Sequence, residues 1–497
     1  MERTSLKLQK WTKRDVLLNV LTYVINAGLL FLLFIGCVYL NQITGGNPAA
    51  SILSNVSLVV EFVALVIVIV VVMILYLFFE DRDFLRKAGN SEMLFLTMEL
   101  GILFCFSYWS GDSFTMFLRP FAFTAVMVMF LSNRKTAIFI HFIFCILLAL
   151  FDVFSESLSG ITLDATKLVT FLIMGVTSGI LATFVMFSVY SRIKLFLLSV
   201  MVSIPNMICS LVFGSNGETL FVLKNLSGGF LSGPFAVSIF ILILPFFEAI
   251  FKRVSCFKFS ELNDHNSKLL KRLITEAPGT FNHSIILSNI AEACATAIGE
   301  DALLAKTCAY YHDVGKLRHP EFFRENQADG ANPHDELTPE LSTNIIKSHT
   351  RDGHNLCVRN GLPKEIADVC LEHHGTMPIL YFYDKAKKFT DSEVDIKKFC
   401  YEGPKPQTRI AAIIMIADGC EAAVRTLKDR SRDNVKAMVN KIVSDRMQLG
   451  QFDECEITLK ELNIIMQTAV NNLTGVYHNR IEYPKVNLEN IDINGEM

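Results

Sequence analysis

Tyr310-Tyr311-His312-Asp313-Val314-Gly315-Lys316 is the stretch on which the reading of this chain turns. It closes a helical pattern in which Leu304, Cys308 and Tyr311 recur at spacings of four and three, and it sets an imidazole beside a carboxylate. Adjacent His and Asp side chains face one cation only where the surrounding backbone holds them there, so the pair alone says little. Its weight comes from residues farther out: His283 upstream, His349 downstream, the tandem His373-His374, and Asp418. Imidazole and carboxylate sets of this kind suit divalent metals, and by composition they accept iron, manganese or cobalt.

The surrounding pattern is helical almost without strands. Ile286, Ile290, Ala293, Cys294 and Ala297 share one face, so His283 begins one helix and His312-Asp313 end the next. Pro278-Gly279-Thr280 opens the first of these, with the Thr280 hydroxyl expected to cap free backbone N–H groups. Gly315 reads as a helix stop, and Pro363 opens a helix that ends in His373-His374-Gly375. The run Arg409 to Leu427 is apolar nearly all round and therefore buried, yet it contains Asp418. An ionised carboxylate in such a helix is costly unless it pairs or binds a metal. His265, His319, His334, His354 and His478 read as surface or hydrogen-bonded residues, and the context of His349 beside Arg351-Asp352-Gly353 is ambiguous.

The other half of the chain is of a different kind. A hydrophobic content of 51%, 40 Phe and a mean hydropathy of +0.39 exceed what a water-soluble chain of 497 residues needs. The excess sits in eight apolar runs near residues 16–40, 54–79, 93–110, 114–132, 137–155, 168–190, 195–213 and 229–251. Basic residues mark alternate connections: Lys7, Lys10, Lys13 and Arg14, then Arg82, Arg86 and Lys87, Arg134 and Lys135, Arg192 and Lys194, and finally Lys252 and Arg253. Gly45-Gly46-Asn47-Pro48, Asp112, Asp152, Glu156, Asp164 and Glu218 belong to the connections between them. Cationic loops stay on the cytoplasmic side. The expected topology is therefore a multi-pass protein of the cell inner (plasma) membrane with eight spans and both termini in the cytoplasm.

The first run follows a basic segment but is long and lacks a small-residue cleavage site, so it reads as an anchor. Glu99, Arg119 and His141 are polar positions within the runs; for Arg119 and Glu99 a place near span ends or pairing inside the bundle is the simpler account. After Arg253 comes a short amphipathic pattern through Leu269 and Leu273, a linker over 254–278 that either continues the last span, carries a homodimer contact, or only connects. The net charge of −3 says nothing about partners, and no basic stripe with interleaved aromatics supports a groove for a nucleic-acid polymer, so none is expected as partner. The 12 Cys show no C-x-x-C spacing, and those after residue 253 fall in the expected cytoplasmic part and read as reduced thiols.

At the histidine and aspartate positions the chain resembles the HD-domain metal phosphohydrolases, and more closely the PgpH-type seven-helix membrane phosphodiesterases of cyclic di-AMP. The similarity runs in order through Ala277-Pro278-Gly279-Thr280-Phe281-Asn282-His283-Ser284, Tyr310 to Leu317, Glu325-Asn326-Gln327, Asn332-Pro333-His334-Asp335, His373-His374-Gly375-Thr376, Tyr381-Phe382-Tyr383, Gly403-Pro404-Lys405-Pro406-Gln407 and Ala417-Asp418. It extends to Gly450-Gln451-Phe452-Asp453 and to Tyr477-His478-Asn479-Arg480-Ile481. The implied fold is all-α, a polytopic membrane helix bundle over 1–253 followed by an HD domain over 279–485 and a tail over 486–497. The resemblance implies two divalent metal ions, manganese or iron. His283, His312 and Asp418 would hold one, His349, His373 and His374 the other, with Asp313 bridging. Lys316 would add positive charge at the reacting phosphate, and Asn326, Tyr381 and Tyr383 would contact the cyclic dinucleotide, the tyrosines by stacking on adenine.

The chain also departs from that pattern. Cys400, Glu402 and Ile410 stand where Arg, Pro and an acidic residue are common, and Gly419-Cys420 replace the usual Ser-Val. Only Asn41 to Ser54 separates the first two runs, where the family usually carries a large extracellular sensor domain. Other HD enzymes act on dNTPs, guanosine tetraphosphate or cyclic di-GMP. The branch specific for cyclic di-GMP carries a Gly-Tyr-Pro signature after the His pair, whereas Gly375-Thr376-Met377-Pro378 follow here. A non-catalytic nucleotide receptor is the alternative of another class, and a transporter a more distant one. No ligand position is lost, which favours the enzyme.

Overall fold

A computed structural model of the protein describes residues 12–44, 55–106, 113–158, 165–187, 189–213, 219–327, 332–389 and 393–476. The chain divides into two compact units, Met1–Phe257 and Lys258–Met497. The fold is all-α: among the described residues the β pairing is an isolated bridge between Pro378 and Cys400. Residues 45–54, Asp112, Asp164, Glu218 and the segment Tyr477 to Ile481 lie outside the described residues.

The first unit contains α1 (Lys13–Thr44), α2 (Val56–Glu80), α3 (Arg82–Arg86), α4 (Ala88–Cys105), α5 (Ser113–Leu118), α6 (Ala122–Leu131), α7 (Arg134–Leu158), α8 (Ala165–Val185), α9 (Arg192–Val202), α10 (Ile204–Phe213) and α11 (Thr219–Phe251). Among the described residues, six helical stretches are long and apolar enough to cross a membrane: α1, α2, α7, α8, the α9–α10 pair and α11. Large apolar side chains such as Phe79, Ile193, Leu220 and Leu242 lie on the outside, as a lipid solvent requires. The run 114–132 is broken at Arg119-Pro120 into α5 and α6, and α6 is buried along nearly its whole length.

Several polar groups inside this unit have partners, although Glu99 Oε1 is buried without a hydrogen-bond partner among the described residues. Arg119 holds Asp152 at 2.6 and 3.3 Å with its guanidinium 4.1 Å from the Phe171 ring, and Asp152 belongs to α7 rather than to the loop expected there. His141 meets the Thr124 hydroxyl at 2.9 Å and donates to Gly175 O at 2.8 Å. Gly179 permits this approach, since a Cβ there would stand 1.9 Å from His141 Nε2. Within α11, Pro234 has no N–H to give Phe230 O. The Ser203 hydroxyl donates to that carbonyl at 2.7 Å and accepts from Gly233 N at 2.9 Å.

The second unit contains α12 (Cys256–Leu262), which starts just before the boundary, then α13 (Lys268–Glu276), α14 (Pro278–Ile298), α15 (Ala302–Tyr311), α16 (Pro339–Arg359), α17 (Lys364–Glu372), α18 (Leu380–Phe389), α19 (Arg409–Thr426), α20 (Arg432–Gln448) and α21 (Leu459–Val476). The last span does not run on into the linker, because Lys252 takes a left-handed backbone (φ 51°) and ends it. Leu269, Leu270 and Leu273 of α13 are buried against their own unit, so the apolar face expected to carry a homodimer contact is covered by the same chain.

Candidate metal centre

Five helices deliver the seven proposed ligands. His283 lies in the second turn of α14, His312 caps the end of α15 with Asp313 next to it, His349 lies in α16, His373-His374 follow α17, and Asp418 lies in the apolar α19. Gly315 is not simply a helix stop: a 3₁₀ turn, Val314–Arg318, continues the chain, and a Cβ on Gly315 would stand 1.9 Å from His349 O. The glycine lets the His-Asp turn press against α16. Nor does the Thr280 side chain cap α14. Asn326 does so from outside, accepting from Thr280 N at 3.1 Å and donating to Thr280 Oγ1 at 2.9 Å.

All seven side chains converge. His283 Nε2 is 3.0 Å from Asp418 Oδ1, and His312 Nε2 is 4.0 Å from the same oxygen and 3.2 Å from Asp313 Oδ2. The other oxygen of Asp313 faces His349 Nε2 at 3.3 Å and His373 Nε2 at 3.7 Å. His374 Nδ1 lies 3.8 Å from Asp418 Oδ2. Ligand atoms of His283, His312 and Asp313 lie within 4.8 Å of one another, as do those of His349, His373 and His374. Asp313 thus turns one oxygen toward each imidazole set. His312 Nε2 and Asp313 Oδ1 are buried without a hydrogen-bond partner among the described residues. Lone pairs left so in a closed site are what a divalent cation would satisfy, and the residues fit that group.

The electrostatics point the same way. Burial opposes the charge on Asp313, but His312 and Lys316 outweigh it and hold the carboxyl well below its usual range. Burial likewise opposes Asp418, and the hydrogen bond with His283 outweighs it. Burial resists protonation of His283, yet hydrogen bonds to Asp418 and Glu421 lift it to about 9. Burial holds His349 down at about 4, so that imidazole is neutral. Lys316 reaches Asp313 Oδ2 at 2.7 Å and Glu325 Oε1 at 2.6 Å, and these two carboxylates raise it against the effect of burial.

The substrate candidates are placed less directly. The Asn326 amide is engaged by Thr280, which makes it a holder of the α14 start. Tyr381 is 65% exposed on α18, and Tyr383 packs at 5.8 Å on Phe399 with Lys387 4.6 Å from its ring. The rings that touch the ligand imidazoles are others. Tyr401 stacks on His374 at 4.3 Å, and Phe323 meets His349 edge-on at 5.6 Å. Sequence reasoning missed Tyr401, Phe323, Glu325 and Glu421. For Glu421 a signal existed: it lies three residues after Asp418, a second carboxylate in the same apolar helix. Gly419 has its own reason, since the Arg446 guanidinium fills the space where a Cβ would be, 1.9 Å away.

Residues 280–423 match the model of the HD domain, and residues 57–255 match the model described as a 7TM receptor with intracellular HD hydrolase. The chain is similar to a Listeria monocytogenes protein named cyclic-di-AMP phosphodiesterase PgpH, with 41% identity over 373 residues that cover 74% of this chain and 50% of the relative. A Bacillus subtilis protein of the same name is 36% identical over 436 residues, 85% of this chain and 59% of the relative. The chain therefore spans between half and three-fifths of these curated relatives. A crystal structure of the L. monocytogenes PgpH HD domain in complex with cyclic-di-AMP has 46% identity and a TM-score of 0.42, covering 43% of this chain and 99% of that one. With both models matched in order and relatives of one name along most of its length, the chain belongs to the PgpH family of membrane proteins that carry an HD domain.

Proposed function

We propose that the chain is a membrane-anchored, metal-dependent phosphodiesterase that hydrolyses cyclic di-AMP to linear 5′-phosphoadenylyl-adenosine and so lowers the level of that second messenger. The observation that carries this reading is the position of Asp313, with Oδ2 toward His312 and Oδ1 toward His349 and His373. Two divalent cations, manganese or iron, held by His283, His312 and Asp418 and by His349, His373 and His374 with Asp313 between them, would supply an acidified water and neutralise charge on the phosphoryl oxygens. The chain's own contribution is to keep Asp313 ionised through Lys316 and to orient His283 through Asp418 and Glu421. Lys316 also places a cation beside the ligand cluster, where a phosphate would bring negative charge. The substrate class rests on what the two relatives are named for. Tyr381 and Tyr383 are proposed to stack on adenine, and Asn326 to act by holding the start of α14.

The proposed topology has eight spans in the plasma membrane, with the N-terminus and the HD unit in the cytoplasm. Cysteines added singly to a Cys-depleted chain should react with an impermeant reagent in intact cells within 45–54 and not within 82–87; labelling of the second segment would overturn it. For the chemistry, Asp313→Ala in the full-length protein should abolish hydrolysis of cyclic di-AMP and empty both metal sites. Full metal content in that variant would refute the shared role of Asp313.

A further inference from the structure

Resting on the metal reading above, we propose that Glu421 is a positioning residue that makes the ligand set His283, His312 and Asp418 the tighter of the two. Glu421 lies one turn after Asp418 on α19 and its side chain is wholly buried. Its Oε2 stands 2.6 Å from His283 Nδ1. An imidazole nitrogen that faces a carboxylate at this distance carries a proton, so Nε2 is the atom turned to Asp418 and the ligand cluster.

The other ligand imidazoles with a hydrogen-bonded Nδ1 are held differently. His312 Nδ1 donates to Ala309 O at 2.7 Å, His349 Nδ1 to Ile346 O at 2.5 Å, and His373 Nδ1 to Val369 O at 3.1 Å. Each of these partners is a neutral main-chain carbonyl. A full negative charge polarises the N–H more strongly than a carbonyl dipole does, which makes the opposite nitrogen a better donor to a cation. His283 is thus singled out among them.

Glu421 is itself fixed in this role. Arg425 brings Nη2 to 2.6 Å from both of its oxygens and Nε to 3.0 Å from Oε1; the same Nη2 stands 3.2 Å from His283 Nδ1, farther than the carboxylate oxygen at 2.6 Å that takes the proton of that nitrogen. This clamp keeps the carboxylate ionised although no water reaches it, because a buried charge persists when it is paired and hydrogen-bonded. The anionic Asp418 also lies closer to this set, 3.0 Å from His283, whereas in the other set His349 and His373 face Asp313 and His374 stays 3.8 Å from the far oxygen of Asp418. Charge and ligand basicity therefore favour the first set for a divalent cation. The two sites fill in order, and Glu421 sets the interval between them.

The test is a Mn2+ titration of purified full-length protein in detergent, read from loss of the free-ion EPR signal. The wild-type chain is expected to fill one site at a free Mn2+ concentration at least about ten-fold below the other. Glu421→Gln keeps the shape and an acceptor for Nδ1–H but removes the charge. It should weaken the tighter step about 10- to 100-fold and leave the weaker step within about two-fold. Equal filling in the wild type, or a Glu421→Gln variant that titrates as the wild type does, overturns the proposal while the metal reading stands. A wild-type chain that binds no Mn2+ overturns the metal reading itself. Should Glu421→Gln fail to fold, His283→Gln and His349→Gln decide: loss of the tighter step in the first and of the weaker step in the second supports the assignment, and the reverse contradicts it.

Discussion

The Lys316 ammonium lies 2.7 Å from Oδ2 of Asp313, and its other side is held by Glu325 at 2.6 Å. A lysine expected to add positive charge at the reacting phosphate is thus the common partner of the buried Asp313 and the part-buried Glu325. Its removal leaves both uncompensated. Breaking a buried ion pair from one side costs roughly 3–5 kcal/mol.

Lys316→Ala should therefore lower the stability of the metal-free protein by about that amount and reduce turnover, while metal is retained because the ligands are intact. Thermal melting with and without Mn2+, together with metal analysis, checks this. An unchanged melting temperature would show that the two contacts contribute nothing to the fold.

The raised His283 predicts a pH dependence whose sign can be worked out. In the metal-free protein His283 is charged up to about pH 9, against an ordinary value of 6.5. Its contribution to folding is full below about pH 6.5 and is lost as pH rises through 9. The whole shift corresponds to about 3 kcal/mol. A metal must displace the proton from Nε2, so affinity should rise about ten-fold per pH unit from 7 and level off above about 9. His349, held at about 4, adds no proton release in that range. Mn2+ titrations at several pH values measure the slope; a flat profile from pH 7 to 9 would contradict it.

Much of this site was legible from residues alone, and the reason differs from residue to residue. Asp418 could be found because one carboxylate in the otherwise apolar α19 demands a partner. The same argument holds for Glu421, but only its contact with His283 across to α14 reveals what its charge is for. Gly315 and Thr280 were read by local rules for helix ends. Their roles come from long-range contacts, the approach to His349 O and the cap from Asn326, which local spacing does not encode. In the membrane unit six of the eight apolar runs coincide with helical stretches long enough to span a membrane among the described residues. The break at Arg119-Pro120 is where proline lacks an N–H to continue the helix, while the pairing of Arg119 with Asp152 of α7 is a tertiary fact.

The central claim is tested most directly by offering cyclic di-AMP and cyclic di-GMP together to the purified full-length protein with Mn2+ and following both by chromatography. The two substrates carry the same phosphodiesters, so a metal centre acts on each alike and discrimination falls to the rings around the site. A ten-fold preference needs only about 1.4 kcal/mol of differential transition-state binding. The account predicts that cyclic di-AMP is consumed at least about ten-fold faster, with 5′-phosphoadenylyl-adenosine as product and no reaction after chelation of the metal. Consumption of cyclic di-GMP at an equal or greater rate would contradict the substrate assignment, and hydrolysis that survives complete removal of metal would contradict the mechanism.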